Sequence, residues 1–490
     1  MSELLKKPSS ADRLPGATIL RGVTIIFVMV ISIFMYLIPA EWYGIEGLTD
    51  IQQRTIAIFI FAALAWLTEM IPTWTTSVLT ITLLLFFTSN NGLGLTPQEI
   101  DGVKSYAEGT PVEFRSIMAA FADPIVMLFL GGFVLASAAS KVGLDIRLAK
   151  VLLMPFGTNP KFVLLGLLFI IGFFSMFMSN TATAAMMIAI LMPIFKELPQ
   201  DDKGRIALAL SIPIAANIGG IGTPIGTPPN AIAIGALNNI GLEISFAEWM
   251  IRMAPFAFIM LILAWILLLI MFPFKSNYLE LNIKETEKAT WKNYVVYVTY
   301  ALTIVLWITE EWTKINSNIV ALLPFAVFSV TRIFDKKDMA EINWSVLWMV
   351  AGGIALGTAL NKTGLANSLI NAIPFENWSP ILVLIVAMLI GYGLSNFISN
   401  SAAANLLMPL LATIGSAMGP DIAMVGGVKG MLVGLAIATS FAMTLPISTP
   451  PNAIACSTGI IKTKDMAHIG IIIGIIGLCC AYAIVTLLPF

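Results

Sequence analysis

The sequence predicts an all-α polytopic membrane protein with eleven transmembrane helices, two re-entrant helical hairpins and two inverted repeats of five crossings each. Three observations predict this fold. Of the 490 residues, 58% are hydrophobic and only 11% are charged, against about 25% in soluble domains. Apolar runs of spanning length recur from residue 18 to residue 489. Landmark residues of the first half recur in the second half at a nearly constant offset. A soluble protein with a very large core would need far more charge on its surface.

The apolar runs define the predicted crossings. They cover 18–40, 53–72, 73–89, 123–140, 206–238, 251–273, 294–310, 316–333, 342–361, 428–459 and 468–489. The first run is long enough to span, so we interpret it as a retained helix and not as a cleaved signal peptide. Two further runs, 162–196 and 380–413, are too long for one crossing and are interrupted by polar residues. We therefore predict that each is a re-entrant hairpin that enters and leaves on one side.

Basic residues are distributed unequally between the connecting segments. With the N-terminus inside, twenty Lys and Arg residues lie on the cytoplasmic side, Lys6, Lys7, Arg13, Lys284 and Lys288 among them, and seven lie outside. This bias predicts a cytoplasmic N-terminus and an extracytoplasmic C-terminus. The amphipathic stretches Leu144–Phe156 and Leu365–Phe375 are expected in the membrane interface, although an ordinary connecting loop is an equal alternative for the second.

The internal repeat relates residues 50–273 to residues 294–490. Gly131-Gly132 pairs with Gly352-Gly353, Lys141–Leu144 with Lys362–Leu365, Ser179-Asn180 with Ser399-Asn400, and Gly226–Ala233 with Ser448–Ala455, at offsets of 221, 221, 220 and 222. Each repeat has five crossings, an odd number, so the second copy must be inverted in the membrane. Inverted repeats with broken helices are typical of secondary transporters, although channels and structural membrane proteins can also be internally repeated.

Two pairs of motifs interrupt the apolar runs. Ser179-Asn180-Thr181 and Ser399-Asn400-Ser401 each follow another serine by four residues, and unpaired polar groups in hydrocarbon cost roughly several kcal/mol each. Thr-Pro-Pro-Asn occurs at 227–230 and 449–452, where two prolines must unwind a helix. One such motif would suggest a packing kink. Two equivalent ones, each downstream of a hairpin, favour a binding site.

The motifs have a definite binding chemistry. The second arm of each hairpin begins at Ser-Asn-Thr/Ser, where helix N-cap residues and N–H groups attract an anion. Carbonyl, Ser and Asn oxygens nearby form a hard environment of the kind Na⁺ accepts. Neither motif contains Lys or Arg. The two repeats can therefore hold two carboxylates and two cations.

The other polar residues do not indicate an enzyme or a nucleic-acid-binding protein. For Glu69 and Asp123 we favour helix-end or interface roles over a proton relay, since both lie near span ends. Packing of small residues explains Ala402–Ala404 but not the paired asparagines. The sequence shows no nucleophile–base pair, metal cluster, nucleotide loop or basic patch, so neither an enzyme nor a nucleic-acid partner is expected.

The paired SN[TS] hairpins and paired [GS]TPPNAIA segments resemble the divalent anion/sodium symporter (DASS, INDY-type) family of di-/tricarboxylate transporters. The resemblance covers nearly the whole chain after the first helix. It implies a homodimer in which a mobile transport domain moves against a scaffold like an elevator. The implied parts are 1–160 (N-terminal helix and first scaffold half), 161–273 (first transport half), 274–293 (cytoplasmic linker), 294–377 (second scaffold half) and 378–490 (second transport half).

The resemblance also implies which residues bind ligands. The implied substrate-binding residues are Ser179, Asn180, Thr181, Ser399, Asn400, Ser401, Thr449, Pro450, Thr227 and Pro228. The implied Na⁺ sites comprise Ser175, Ser179, Asn180 and the Gly226 carbonyl in the first repeat, and Ser395, the Ile398 carbonyl, Asn400 and the Ser448 carbonyl in the second. Ser401 departs from the doubled Ser-Asn-Thr pattern.

The expected function is secondary active transport of dicarboxylates such as succinate, malate, fumarate or 2-oxoglutarate across the plasma (inner) membrane, coupled to Na⁺ by symport. Preference between these and citrate-sized anions stays open because of Ser401. A sodium-independent dicarboxylate exchanger of the same family is the main alternative. A sulfate or phosphate transporter or channel is a more remote one.

Overall fold

The computed structural model describes residues 15–95, 97–100, 103–279, 289–372 and 378–488. Predictions for Lys6, Lys7, Arg13, Lys284 and Lys288 lie outside these residues, as do residues 373–375 of the second amphipathic stretch. One correction to the all-α prediction is a small antiparallel hairpin of β1 (Pro97–Ile100) and β2 (Val103–Tyr106), with Pro97 opposite Tyr106. It lies in a polar connection outside the apolar runs, where the backbone is not restricted to helices.

The helices follow the apolar runs closely. In chain order they are α1 (Pro15–Leu37), α2 (Asp50–Thr68), α3 (Thr73–Phe87), α4 (Phe114–Ala119), α5 (Pro124–Lys141), α6 (Leu144–Leu153), α7 (Pro160–Phe177), α8 (Asn180–Glu197), α9 (Gly204–Gly220), α10 (Pro228–Asn238), α11 (Phe246–Met271), α12 (Trp291–Ile308), α13 (Glu310–Thr313), α14 (Ser317–Val320), α15 (Leu322–Val330), α16 (Lys336–Glu341), α17 (Trp344–Lys362), α18 (Leu365–Ala372), α19 (Pro380–Phe397), α20 (Asn400–Ala417), α21 (Gly427–Ser440), α22 (Pro450–Cys456) and α23 (Thr463–Leu487). Short 3₁₀ turns occupy Ala40–Tyr43, Ala120–Ala122, Met154–Phe156 and Pro420–Val425.

Helix breaks occur where the polar motifs predict them. Each polar tripeptide separates two 18-residue helices, α7 from α8 and α19 from α20. Each Thr-Pro-Pro-Asn motif begins a new helix, so that 206–238 divides into α9 and α10, and 428–459 into α21 and α22. Within the described ranges, eight helices are long and apolar enough to cross a membrane. The count of eleven crossings and the re-entrant course of the hairpins stay predictions.

The two repeats pack against each other through equivalent helices. Helix α3 of the first repeat packs on α17 of the second, and α14 and α15 of the second pack on α5 of the first. Equivalent glycines allow both approaches. A Cβ on Gly352 would lie 2.4 Å from Ser77 Cβ, and one on Gly131 would lie 2.0 Å from the Ala321 carbonyl oxygen. The first glycine of each paired Gly-Gly is therefore an inter-repeat contact.

Substitution of Gly131 by alanine is expected to destabilise the protein because the Ala321 backbone cannot move aside without shifting α14 and α15. Overpacking of this kind costs roughly 1–3 kcal/mol. The thermal unfolding midpoint of purified protein in detergent measures it. Gly393→Ala is the control, since a Cβ at Gly393 meets nothing within 4 Å. Equal midpoints for the two variants would show that this contact does not limit stability.

The remaining helices form a reciprocal arrangement around the broken helices. Helix α22 of the second repeat packs against α8 and α9 of the first, and α10 of the first repeat packs against α20 and α21 of the second. Each Thr-Pro-Pro-Asn helix therefore contacts the second hairpin arm of the other repeat. This exchange places the two pairs of motifs within one packed unit.

Candidate functional site

Both hairpin tips are serine-capped helix N-termini. Ser179 precedes α8 with extended backbone, and its Oγ accepts a hydrogen bond from Ala182 N at 3.2 Å. Ser399 does the same for α20, with Oγ accepting from Ala402 N at 3.3 Å. The other N–H groups of each first turn have no partner within their own helix. Each tip can therefore bind an anion with N–H groups of this turn and the positive end of the helix dipole.

The first hairpin carries a cluster of oxygen atoms around Asn180. Ser175 Oγ donates to the Ala216 carbonyl at 2.7 Å. Assigned from its surroundings, the Asn180 amide nitrogen donates to Ser175 Oγ at 2.6 Å, to the Gly226 carbonyl at 3.0 Å and to the Ala216 carbonyl at 3.2 Å. Rotating the amide would turn its oxygen toward Ser175 Oγ and the carbonyl oxygens of Ala216 and Gly226. Four oxygens would then surround one point. That donor set fits a hard cation such as Na⁺.

The second hairpin repeats this cluster with different backbone partners. Ser395 Oγ lies 2.8 Å from Asn400 Oδ1 and donates to the Thr439 carbonyl at 2.8 Å. Ser395 is fully buried, as is Ser175. Two serine–asparagine pairs are thus formed at equivalent places, each with a buried serine, a partly exposed asparagine and a carbonyl from the following broken helix.

The unwound segments are hydrogen-bonded to equivalent carbonyls of the two hairpins. Thr223 Oγ1 donates to the Met176 carbonyl in the first repeat. Ser448 Oγ donates to the Asn396 carbonyl at 2.9 Å in the second. Met176 and Asn396 correspond at the repeat offset, whereas Ser448 corresponds to Gly226 and not to Thr223. Each broken helix is therefore held against the same carbonyl of its own hairpin, but by a hydroxyl from a different position.

The asparagines of the Thr-Pro-Pro-Asn motifs replace backbone hydrogen bonds that the prolines remove. Asn230 Nδ2 donates to the carbonyls of Gly220 at 3.0 Å and Thr223 at 2.7 Å. Asn452 Nδ2 donates to the Leu445 carbonyl at 2.8 Å. Both side chains are fully buried. They hold the unwound segments in shape. The asparagine after the two prolines of each motif is a signal for this role, but the sequence analysis did not predict it.

A buried amide joins the two repeats. Asn217 in α9 donates through Nδ2 to Thr449 Oγ1 at 3.2 Å and to Asn452 Oδ1 at 3.3 Å. Thr449 Oγ1 in turn donates to Asn452 Oδ1 at 2.9 Å. Asn217 was missed by the sequence analysis, although an asparagine inside the apolar run of α9 is a signal for it.

The structure brings only some of the predicted residues into these clusters. Ser175, Asn180 and the Gly226 carbonyl come together, as do Ser395 and Asn400. Thr181 is exposed, whereas Ser401 is buried. The Thr449 hydroxyl is engaged at the start of α22, but the equivalent Thr227 makes no capping hydrogen bond.

The remaining predicted residues lie at helix ends beside these clusters. Pro228 and Pro450 begin α10 and α22. Ile398 and Ser448 are buried. The ligand roles of all these residues stay predictions.

An open cavity of about 520 Å³ lies beside the first hairpin tip. Ser179 and Ala182 form one wall, and the end of α5 with α16 forms the other. Lys141 Nζ lies 2.7 Å from Asp338 and 3.4 Å from Asp335. The backbone N–H of Lys337 lowers the pKa of Asp335, so this carboxylate stays charged beside Lys141. The volume is within the range of small-molecule sites.

The two acidic residues near span ends occupy helix termini. Asp123 caps α5 by accepting from Ile125 N at 2.9 Å. Glu69 ends α2, and its Oε1 accepts from Ser399 N at 3.1 Å. The sequence analysis favoured helix-end or interface roles for both. The contact of Asp123 is a helix cap, whereas the Glu69 carboxylate contacts the tip of the second hairpin. Among the described residues, no group of three or more His, Cys, Asp or Glu side chains could hold a metal ion.

Comparison with known proteins supports the resemblance. The family described as the sodium:sulfate symporter transmembrane region matches residues 20–488. A sodium-dependent dicarboxylate transporter, SdcS, of Staphylococcus saprophyticus is 31% identical over 479 aligned positions, covering 90% of this chain and 87% of the transporter. SdcS of Staphylococcus aureus strain USA300 is also 31% identical, covering 96% and 90%.

Solved structures share the fold at low sequence identity. The YdaH transporter of Alcanivorax borkumensis superposes with a TM-score of 0.57 at 11% identity, covering 85% of this chain and 98% of that one. MtrF of Neisseria gonorrhoeae, described in a class of antimetabolite efflux pumps, superposes with a TM-score of 0.53 at 13% identity, covering 87% and 96%. These likenesses concern the fold alone.

Proposed function

Because the chain belongs to the sodium:sulfate symporter family, the divalent anion/sodium symporters, we propose that it transports dicarboxylates of the succinate, malate, fumarate and 2-oxoglutarate class across the plasma membrane. The observation that carries this proposal is the pair of serine-capped helix N-termini at Ser179 and Ser399, one in each repeat. The relatives named sodium-dependent dicarboxylate transporters support it.

Each hairpin tip would bind one carboxylate of the substrate. A carboxylate accepts hydrogen bonds from N–H groups at a helix N-terminus, and this interaction needs no basic side chain. The reciprocal packing of α22 on α8 and of α10 on α20 keeps both tips in one unit, so that a single ligand with two separated carboxylates can engage both. A monocarboxylate can use only one tip.

Sodium would bind at the two serine–asparagine clusters. In the first cluster, rotation of the Asn180 amide would direct its oxygen toward Ser175 Oγ and the carbonyls of Ala216 and Gly226. Bound cations there would offset the substrate charge without a lysine or arginine. Sodium coupling therefore follows from the same residues that form the anion site.

We propose an elevator movement in which residues 161–273 and 378–490 slide against a scaffold formed by 1–160 and 294–377. Asn405 Nδ2 donates to the Met349 carbonyl at 3.0 Å, and Asn239 Nδ2 donates to the Ile354 carbonyl at 3.2 Å, both on α17. As the proposed transport domain moves along α17, these bonds would break and the two asparagines would form new bonds elsewhere on the scaffold.

The orientation in the membrane is part of the same proposal. The cavity beside Ser179 reaches Lys141, on the side that the Lys and Arg bias assigns to the cytoplasm, so this state is inward-facing. A homodimer is proposed from the family resemblance.

Asn239→Ala is expected to change the maximal transport rate by about tenfold while leaving substrate affinity unchanged. The substitution removes the bond to the Ile354 carbonyl and the bond that Asn239 Oδ1 accepts from Thr358 Oγ1 at 3.1 Å, whereas the backbone carbonyl of residue 239 still accepts from Asn361 Nδ2. Neutral hydrogen bonds contribute roughly 0.5–1.5 kcal/mol each, enough to shift a two-state equilibrium tenfold. Initial uptake rates at varied succinate concentration measure the effect. The neighbouring exposed Asn238→Ala is the control, and equal rates for the two variants would contradict a moving interface here.

A sulfate transporter is the second candidate function, because the description of the matching family names sulfate. It would bind one compact anion and would gain nothing from two separated tips. Uptake of labelled succinate with sulfate as competitor distinguishes the two. Inhibition by equimolar sulfate would favour the sulfate transporter.

The proposal is tested with purified protein in liposomes. Uptake of labelled succinate is followed with and without a sodium gradient, into vesicles that are empty or preloaded with unlabelled dicarboxylate. Uptake into empty vesicles that requires external sodium establishes symport. Uptake only into preloaded vesicles, independent of sodium, establishes exchange. No uptake in either arrangement would overturn the dicarboxylate proposal.

A further inference from the structure

Glu69 has an unusual backbone conformation at the boundary between two parts of the fold. Its φ of 46° and ψ of 30° place it in the left-handed region at the end of α2. Among the described residues, three that are not glycine have positive φ, and Glu69 is one of them. This conformation costs an ordinary residue roughly 1–2 kcal/mol, and such strain is concentrated at functional sites.

The Glu69 carboxylate occupies the tip of the second hairpin. Its Oε1 accepts from the Ser399 backbone N–H at 3.1 Å, across a sequence separation of 330 residues. Under the proposed function, a substrate carboxylate would bind at this same helix N-terminus. A carboxylate of the protein therefore already lies where one end of the substrate is expected. Glu69 is exposed, so water and substrate can reach the contact.

A second glutamate is related to Glu69 by the internal repeat. Trp66-Leu67-Thr68-Glu69 ends α2, and Trp307-Ile308-Thr309-Glu310 runs from the last turn of α12 to the first residue of α13. The tryptophans of the two segments also make equivalent contacts. Trp66 Nε1 donates to the Thr73 carbonyl at the start of α3, and Trp307 Nε1 donates to the Ser317 carbonyl at the start of α14. Both tryptophans are fully buried. Glu310 is therefore the repeat counterpart of Glu69.

The two glutamates nevertheless make different contacts. Glu310 Oε1 accepts from Ser317 N at 3.1 Å, and its Oε2 accepts from Phe246 N at 3.1 Å. Its carboxylate is thus held at the starts of α14 and α11. Glu69, by contrast, reaches the tip of a hairpin of the opposite repeat. Because equivalent residues make different contacts, we infer that the structure represents one of two states. In the other state, each repeat would adopt the arrangement that the other repeat has here.

We propose that Glu69 and Glu310 are alternating latches for the empty carrier. In the present state Glu69 accepts from the Ser399 N–H and holds the second hairpin. Glu310 meanwhile accepts from the backbone N–H groups of Ser317 and Phe246, and within the described residues it contacts no hairpin tip. In the opposite state the roles exchange, and Glu310 accepts from the Ser179 N–H of the first hairpin. A substrate carboxylate releases the latch by taking its place. The inference rests on the proposed function for the identity of that substrate.

The latch has two consequences. It competes with the substrate, so that apparent affinity is reduced by the fraction of molecules in which Glu69 occupies the tip. It also restrains the empty transport domain, because release of the tip then requires breaking the bond to Ser399. Binding of a dicarboxylate to the tip would therefore favour movement of the loaded carrier over the empty one.

Glu69→Gln tests the competition, since glutamine keeps the size of the side chain and loses the charge. Succinate binding to the purified full-length protein is measured by calorimetry. We expect an affinity about 3- to 10-fold higher than that of the wild type. The control is Glu113→Gln, an exposed glutamate that makes no capping bond to α4. Unchanged or weaker binding by Glu69→Gln would overturn the competition.

A second measurement needs no substrate. Hydrogen exchange of the amides at 398–402 is followed by mass spectrometry in the substrate-free protein. We expect several-fold faster exchange in Glu69→Ala, which removes the acceptor of the Ser399 N–H, than in the wild type, and no change at this tip in Glu310→Ala. Equal exchange in Glu69→Ala and the wild type would overturn the latch. If wild-type protein fails to bind succinate while exchange at the tip still depends on Glu69, the proposed substrate is wrong and the latch stands.

Discussion

Asn180→Ala is expected to reduce succinate uptake by about 100-fold or more while leaving a folded membrane protein. The Asn180 amide contacts Ser175 Oγ and the carbonyls of Ala216 and Gly226, and its backbone begins α8, whose N-terminus is proposed to bind a carboxylate. Hydrogen bonds to charged groups contribute roughly 1.5–3 kcal/mol each, so loss of one ligand to an ion reduces binding about 10- to 150-fold. Loss of the anion site and the cation site together gives the larger effect.

Asn400→Ala should have the same effect, because Asn400 occupies the equivalent place beside Ser395. Uptake into liposomes at equal protein density measures both variants. Gel filtration and the thermal unfolding midpoint show that each is folded. The exposed Asn238→Ala serves as the control. Normal uptake by either Asn180→Ala or Asn400→Ala would contradict the site.

Asn452→Ala is expected to lower both stability and transport, because Asn452 is fully buried and holds an unwound segment in shape. Its removal leaves the Leu445 carbonyl without its donor, and takes an acceptor from Thr449 and from Asn217. A buried polar group left unsatisfied costs roughly 1–3 kcal/mol. We expect a loss of about 3 kcal/mol in unfolding free energy and at least a tenfold drop in uptake.

The control for Asn452→Ala is Ser457→Ala, at the exposed residue that follows α22. Denaturation in detergent and liposome uptake are measured for both. An unfolding midpoint equal to that of Ser457→Ala would mean that the prolines alone determine the break, and that the asparagine does not hold the segment.

The sequence was sufficient to locate the helix breaks because the physical causes are local. Serine and asparagine are favoured at helix N-termini, which placed the starts of α8 and α20 at the two tripeptides. Two consecutive prolines cannot continue a helix, which placed the starts of α10 and α22. The constant offset between the motifs then predicted the repeat, and the equivalent contacts of Gly131 and Gly352 agree with it.

The contacts between repeats could not be predicted because they depend on tertiary packing. Asn217 is one polar residue in a long apolar run, and nothing local indicates that its partners are Thr449 and Asn452. The contact of Glu69 with Ser399 likewise joins residues far apart in the chain. The hairpin of β1 and β2 was missed because its residues lie outside the apolar periodicity on which the prediction relied.

The pairing of the two hairpin tips is tested most directly by comparing two ligands of equal chain length. Calorimetric titration of the purified protein in sodium buffer would use succinate, with two carboxylates, and butyrate, with one. If both tips bind the same molecule, butyrate should bind about 100-fold more weakly than succinate, since it loses the charged hydrogen bonds at one tip. Equal affinities for the two would contradict a site built from Ser179 and Ser399 together.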